Sequence, residues 1–539
     1  MFATSPRRAS VGGVRWLEPG RVRRRRVRLA PFLLVLLVCG LAAVIVVVVQ
    51  ARLSAGDARR DAARGFAAAW ARGDLAGMWA RLDARAQSAW PEGRFAASYR
   101  AAARAATVTA VRVGRAGPTR GGHVALPAAV RTRRFGTLRG TLAVPVDTVR
   151  GRAGVAWAPY LRLPGLRPGE TVRRRDLARP RRAAVLGADG LPLDRTPAAA
   201  AIAKGLATRY AARLNGRAGA ELIFGRRVVA RAPRRPAHAV HATIRPGLQT
   251  AARAALGNAL GGVAAVRPAT GDVLALAGLA VSAPQPPGST FKIITLSAAL
   301  QAGIATPASS YPVRTFALLS GVKLRNANDE ACGGSLPTAF AQSCNSVFAP
   351  LGARLGARRL VRMAEAFGFN ERPNVPAAQP SVIPQPRDLK DALAVGASAI
   401  GQDRDAATPL EMATVAATIG ARGVRARPRV VRSDPVRRRR AVGARVAAQV
   451  RAMMLGVVRS GTGTAAALPG IEVAGKTGTA ELRPTVGGPP NPRNTDAWFV
   501  AFAPARAPRI AVAVMVVGAG AGGRAAAPIA RRVLQAALG

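Results

Sequence analysis

Ala30 to Val49 is a run of 20 residues without a charged side chain, long enough to cross a bilayer as a helix. The pattern then changes. From Asp57 to Trp70 apolar residues recur at helical spacing among Arg and Asp, which predicts an amphipathic helix. From Gly261 to Gly278 two apolar runs flank Thr270-Gly271-Asp272, which predicts a hairpin. Phe291 to Leu300 reads as a buried helix. Glu472 to Ala474 leads as a strand into Lys476. Trp498–Phe502 and Ile510–Val517 are apolar at nearly every position and read as buried strands, with a closing helix from about Arg524 to Leu538. Three late strands and the early hairpin add up to a five-stranded sheet with helices against it.

Charge gives the first run a direction. Nine arginines stand in residues 1–28, ahead of the apolar run, while the 20 residues after it hold four arginines and two aspartates. The bias predicts a cytoplasmic N-terminus and places the chain after Gln50 outside. A cleaved signal peptide is the competing reading, but the apolar stretch exceeds the usual h-region, which favours an uncleaved anchor. The net charge of +55 raises nucleic-acid binding as a rival. The arginines are spread along the whole chain, aromatics are 4%, and no nucleic-acid motif appears, so no specific nucleic-acid partner is expected.

The form of the charge is more informative than its size. Five of the 81 basic residues are lysine, leaving 76 arginines (81 − 5). Two of the five close or open short motifs: Ser289-Thr290-Phe291-Lys292 and Lys476-Thr477-Gly478-Thr479. A lysine ammonium can lose its proton when desolvated and act as a base, whereas a guanidinium stays charged. Ser289 follows Pro286-Pro287-Gly288 and begins the helix, so Lys292, three residues on, lies on the same face. A second Ser-x-x-Lys, Ser320-Gly321-Val322-Lys323, sits in an alternating stretch that reads as strand or loop and splays the pair apart. Between the two lysine motifs stands Ser343-Cys344-Asn345. The three histidines, His123, His238 and His241, all precede this segment, so neither a Ser-His-Asp triad nor a histidine-based metal site is available to it, and no metal or cofactor is expected.

Ser-x-x-Lys, Ser-x-Asn and Lys-Thr-Gly in that order resemble the signature set of the penicillin-handling serine enzymes. The chain as a whole resembles a class B (monofunctional) penicillin-binding protein, a peptidoglycan D,D-transpeptidase. Thr243-Ile244-Arg245-Pro246-Gly247-Leu248-Gln249 looks like the opening of that family's catalytic domain, and Ser460-Gly461-Thr462-Gly463-Thr464-Ala465 like its segment before the Lys-Thr-Gly strand. Gly401-Gln402 and Thr408 to Ala413 also fit, with Asp403 and Glu411 departing from the family's Gly and Gln.

The resemblance implies an α+β fold: a single N-terminal transmembrane helix, a nuclear-transport-factor-like α+β domain, then a transpeptidase domain with a five-stranded antiparallel sheet and helices on both faces. The expected segments are 1–28 basic and cytoplasmic, 29–50 anchor, 51–165 nuclear-transport-factor-like, 166–240 interdomain pedestal and 241–539 catalytic. A generic α+β spacer remains an alternative for 51–165. Monofunctional class is expected because no glycosyltransferase-sized domain precedes the catalytic one.

For the chemistry, the resemblance and the residue types together imply that Lys292 takes the proton of Ser289, which attacks D-Ala-D-Ala. Ser343 relays a proton, and Asn345 bonds the substrate amide. Lys476, Thr477 and Thr479 hold the terminal carboxylate, with Gly478 in the same strand. Backbone N–H groups of Ser289 and Thr479 would form the oxyanion hole. Implied partners are peptidoglycan stem peptides, β-lactams, the cell membrane and a glycan polymerase of the SEDS type. A β-lactamase or carboxypeptidase, and a sensor or inactive wall-binding scaffold, stay open as alternatives. Cys332 and Cys344 are expected outside the membrane, where a disulfide is permitted, but sequence leaves their pairing undecided.

Overall fold

The computed structural model describes residues 30–149, 152–482 and 491–539; the basic segment 1–28 lies outside them. The chain forms two compact units. One comprises residues up to Leu177 together with Gly219–Pro233, the other Ala178–Ala218 with Arg234–Gly539. The stretch 166–240, expected as a pedestal, is therefore divided. Strands Val172–Asp176, Ala220–Phe224 and Arg227–Ala232 form an antiparallel sheet within the first unit.

The first unit begins with one unbroken helix, Ala30–Arg72, among the described residues the helix long and apolar enough to cross a membrane. Its last turns bury Ala63, Phe66, Ala67 and Trp70, a helical spacing that makes one apolar face. That face meets an antiparallel sheet in which His123–Thr132 pairs with Val108–Val113 on one side and Thr137–Val149 on the other. Along His123–Thr132 buried residues alternate with residues that keep some exposure, as expected of a sheet covered on one face. The core is closed by Phe95, Tyr99 and Trp157. The Trp157 indole N–H donates to the Tyr99 hydroxyl at 3.1 Å.

The second unit is an α+β fold around a five-stranded antiparallel sheet. The order is Val273–Gly278, Gly261–Val266, Ile510–Val516, Thr495–Ala503, Ala474–Glu481. Every residue of Ile510–Val516 is buried. Val512 and Val514 join a core with the helices Pro246–Leu256 and Gly522–Leu538. Ala513 and Met515 join the opposite core with the helices Lys292–Gln301 and Pro409–Gly420. Helices on both faces explain why these strands are apolar at every position rather than at every second one. The Lys476 strand begins at Ala474, so Glu472 precedes it.

Candidate active site

Ser289 lies in a 3-10 turn, Gly288–Phe291, that runs into the α-helix Lys292–Gln301. Residues three apart nearly eclipse in a 3-10 turn, so the pair is aligned more directly than in an α-helix. Lys292 Nζ stands 2.9 Å from Ser289 Oγ. The other Ser-x-x-Lys pair lies on a hairpin: Ser320 is at its turn, and the Lys323 ammonium lies over the Phe316 ring, 4.9 Å from its centroid.

The second motif arrives from a separate helix. Ser343 adopts a left-handed backbone (φ 68°) just before the helix Asn345–Leu355. Lys292 Nζ donates to the Asn345 Oδ1 at 2.6 Å and to the Ser343 carbonyl at 2.7 Å. Cys344, inside the motif, forms a disulfide with Cys332, their Cα atoms 5.7 Å apart.

The third motif lies on the edge strand of the sheet. Lys476 Nζ donates to Ser343 Oγ at 2.8 Å and to the Thr477 carbonyl at 3.1 Å. Ser343 Oγ is thus shared, 3.4 Å from the Lys292 amine and 2.8 Å from the Lys476 amine. The Thr477 hydroxyl is 2.5 Å from that of Thr462, and the Gln402 side-chain amide reaches the Thr479 carbonyl at 3.5 Å. Two glycines allow the strand and the serine turn to touch. A Cβ on Gly288, where φ is +52°, would lie 2.7 Å from the Thr479 carbonyl oxygen. One on Gly478 would lie 2.9 Å from the Pro287 carbonyl oxygen. All eight residues singled out in the sequence, Ser289, Lys292, Ser343, Asn345 and Lys476 to Thr479, fall on these three converging segments.

Electrostatics set the character of the site. Both lysine side chains are fully buried, although Ser289, Ser343 and Asn345 keep some exposure. Among the described residues neither amine is ion-paired to a carboxylate. Burial holds Lys292 well below the ordinary lysine range, and the nearby Lys476 pushes it the same way. Burial lowers Lys476 to about 7. Each amine also lies near an aromatic ring, Lys292 at 5.7 Å from the Phe348 centroid and Lys476 at 5.4 Å from that of Phe340. The sequence reading missed these two rings. Their positions, three residues before Ser343 and three after Asn345, were the available signal.

The arrangement is a hydroxyl nucleophile within reach of a desolvated amine, beside a second hydroxyl bridging two amines. Such a set suits acyl transfer through a serine ester. Residues 261–535 match the family model for the penicillin-binding protein transpeptidase domain. The chain is 37% identical over 387 residues to the peptidoglycan D,D-transpeptidase PbpA of Mycolicibacterium smegmatis, an alignment covering 59% of this chain and 76% of that protein. It is 40% identical over 286 residues to PbpA of Mycobacterium tuberculosis, covering 48% of this chain and about half, 56%, of that one. A solved penicillin G acyl-enzyme complex of M. tuberculosis penicillin-binding protein A superposes with a TM-score of 0.51 at 31% identity, over 74% of this chain and 98% of that one. The chain belongs to the penicillin-binding protein transpeptidase family, as a class B member.

Proposed function

We propose that this protein is a membrane-anchored peptidoglycan D,D-transpeptidase whose acyl-enzyme forms on Ser289. The observation that carries the reading is the convergence of two buried, unpaired lysine amines on two serine hydroxyls. Lys292, neutral in its dry site, takes the Ser289 proton as Oγ bonds to the carbonyl of the penultimate D-Ala. Backbone N–H groups of Ser289 and Thr479 bind the oxyanion, each worth about 3 kcal/mol. The C–N bond to the terminal D-Ala breaks, and Ser343 passes the proton to the leaving amine. Asn345 bonds the stem-peptide amide. Lys476, Thr477 and Thr479 hold the terminal carboxylate, with Gly478 keeping the strand flush against the serine turn. An amine of a neighbouring stem peptide then attacks the ester, the crosslink forms and Ser289 recovers its proton. A β-lactam acylates the same serine.

The apolar helix and the arginines before it support an anchor with the N-terminus in the cytoplasm and the catalytic unit outside. The helix packed against an antiparallel sheet supports a nuclear-transport-factor-like reading of the first unit. The SEDS-type polymerase as partner rests on the family resemblance. The test is acylation by a fluorescent penicillin followed by peptide mapping. Label is expected on Ser289 and absent from Ser289→Ala; label that persists in Ser289→Ala removes the assignment.

A further inference from the structure

The first N–H groups of any helix need acceptors from outside it. At the helix Asn345–Leu355 the N-cap is Cys344, whose sulfur is tied to Cys332 and makes no cap hydrogen bond. The acceptor comes from another segment: the Ser346 N–H donates to Asn326 Oδ1 at 2.8 Å. Asn326 is 6% exposed and its side chain is used completely. Its Nδ2 donates to the Arg314 carbonyl at 2.7 Å and the Glu330 carbonyl at 2.8 Å, and lies 3.1 Å from the Ser346 hydroxyl oxygen. Its backbone N–H donates to the Thr315 carbonyl at 2.8 Å. One residue earlier, the Arg325 carbonyl accepts from Asn345 Nδ2 at 2.8 Å. Two consecutive residues at the base of the hairpin thus hold the two consecutive residues that open the helix.

We infer that Asn326 is a positioning residue for acylation: by capping that helix in trans it fixes the Asn345 carboxamide against the Lys292 amine. The inference rests on the transpeptidase reading above. Asn345 Oδ1 lies 2.6 Å from Lys292 Nζ, and Asn345 stands at the first helical position, where an uncapped end frays. Displacement of the carboxamide by a fraction of an ångström changes how the amine addresses Ser289 Oγ. The effect therefore falls on the chemical step, because Asn326 itself is buried and turned toward the hairpin and the Ser346 backbone rather than toward a ligand.

The experiment uses the full chain in detergent and a fluorescent penicillin, with the acylation rate constant separated from the preceding binding constant. Asn326→Ala and the isosteric Asn326→Leu are expected to lower the rate constant about 10- to 100-fold and to move the binding constant less than about threefold. A merely structural role would lower the melting temperature and leave the rate constant of the folded, labelled fraction unchanged. A second readout restores the cap locally. In a Cys332→Ala/Cys344→Ser background the helix gains its own cap oxygen, and Asn326→Ala should then cost less than about threefold. A rate constant within about threefold of the parent in whichever variant folds, or the same loss in both backgrounds, overturns the inference. A parent that takes no label removes the transpeptidase reading itself, an outcome distinct from either.

Discussion

In the N-terminal unit the strand His123–Thr132 alternates between buried and more exposed positions, and Arg131 on the wetter face is exposed. In the catalytic unit Ile510–Val516 is buried at all seven positions, and Lys476, two strands away, is buried completely. A sheet with one wet face gives each charge somewhere to go. A sheet covered on both faces strips water from any charge it carries, and a lysine there moves toward its neutral form. The three other lysines, Lys204, Lys323 and Lys390, are exposed. The covered sheet strips water from Lys476, and Lys292 loses its water at the start of a buried helix instead.

A charge placed where neither face is wet has the largest effect. Val514→Lys buries an unpaired ammonium, a cost of several kcal/mol that rivals the whole stability of a domain. Full-length protein carrying it should show no penicillin labelling and no cooperative melting of the catalytic unit. Arg131→Ala on the half-wet sheet should change stability by less than about 0.5 kcal/mol.

The buried ionisable groups also make stability depend on pH. Lys476, lowered to about 7 when folded against about 10.4 unfolded, leaves the unfolded chain holding the extra proton between those values. Stability therefore rises as pH climbs from about 7 to 10.4, and melting curves of Lys476→Met should lose part of that rise, on the order of a few kcal/mol. Glu411 has the opposite sign. It is buried, its Oε1 has no hydrogen-bond partner, and burial raises it to about 7. The folded chain holds the extra proton between about 4.3 and 7, so stability falls as pH rises through that window. Glu411→Gln should flatten the fall and leave the alkaline limb unchanged.

How much of this could be read from the sequence depended on how local the cause was. Ser289 and Lys292 are joined by the geometry of one helical turn, and the scarcity of lysine marked Lys292 and Lys476 against a background of arginine. Four of the five sheet strands were legible because fully buried strands leave apolar runs; the Lys476 strand, Ala474–Glu481, leaves none. The helix Ala30–Arg72 does not break near residue 50: Gln50 to Gly56 changes polarity without supplying a proline, and the helix runs on through Ser54 and Gly56. The Cys332–Cys344 bond depends on pairing between Ser310–Arg314 and Cys332–Ser335, which only tertiary structure reports. The division of residues 166–240 between two units has the same origin: Ala220–Phe224 pairs with Val172–Asp176 across more than 40 intervening residues.

The central claim is that the group beside Ser289 Oγ must be able to exist without its proton. Lys292→Arg keeps the positive charge and most of the bulk but supplies a guanidinium that stays protonated. Labelling of the folded variant by a fluorescent penicillin is the direct measurement. No detectable acylation is expected; acylation at the parental rate would mean that Ser289 needs no titratable amine beside it.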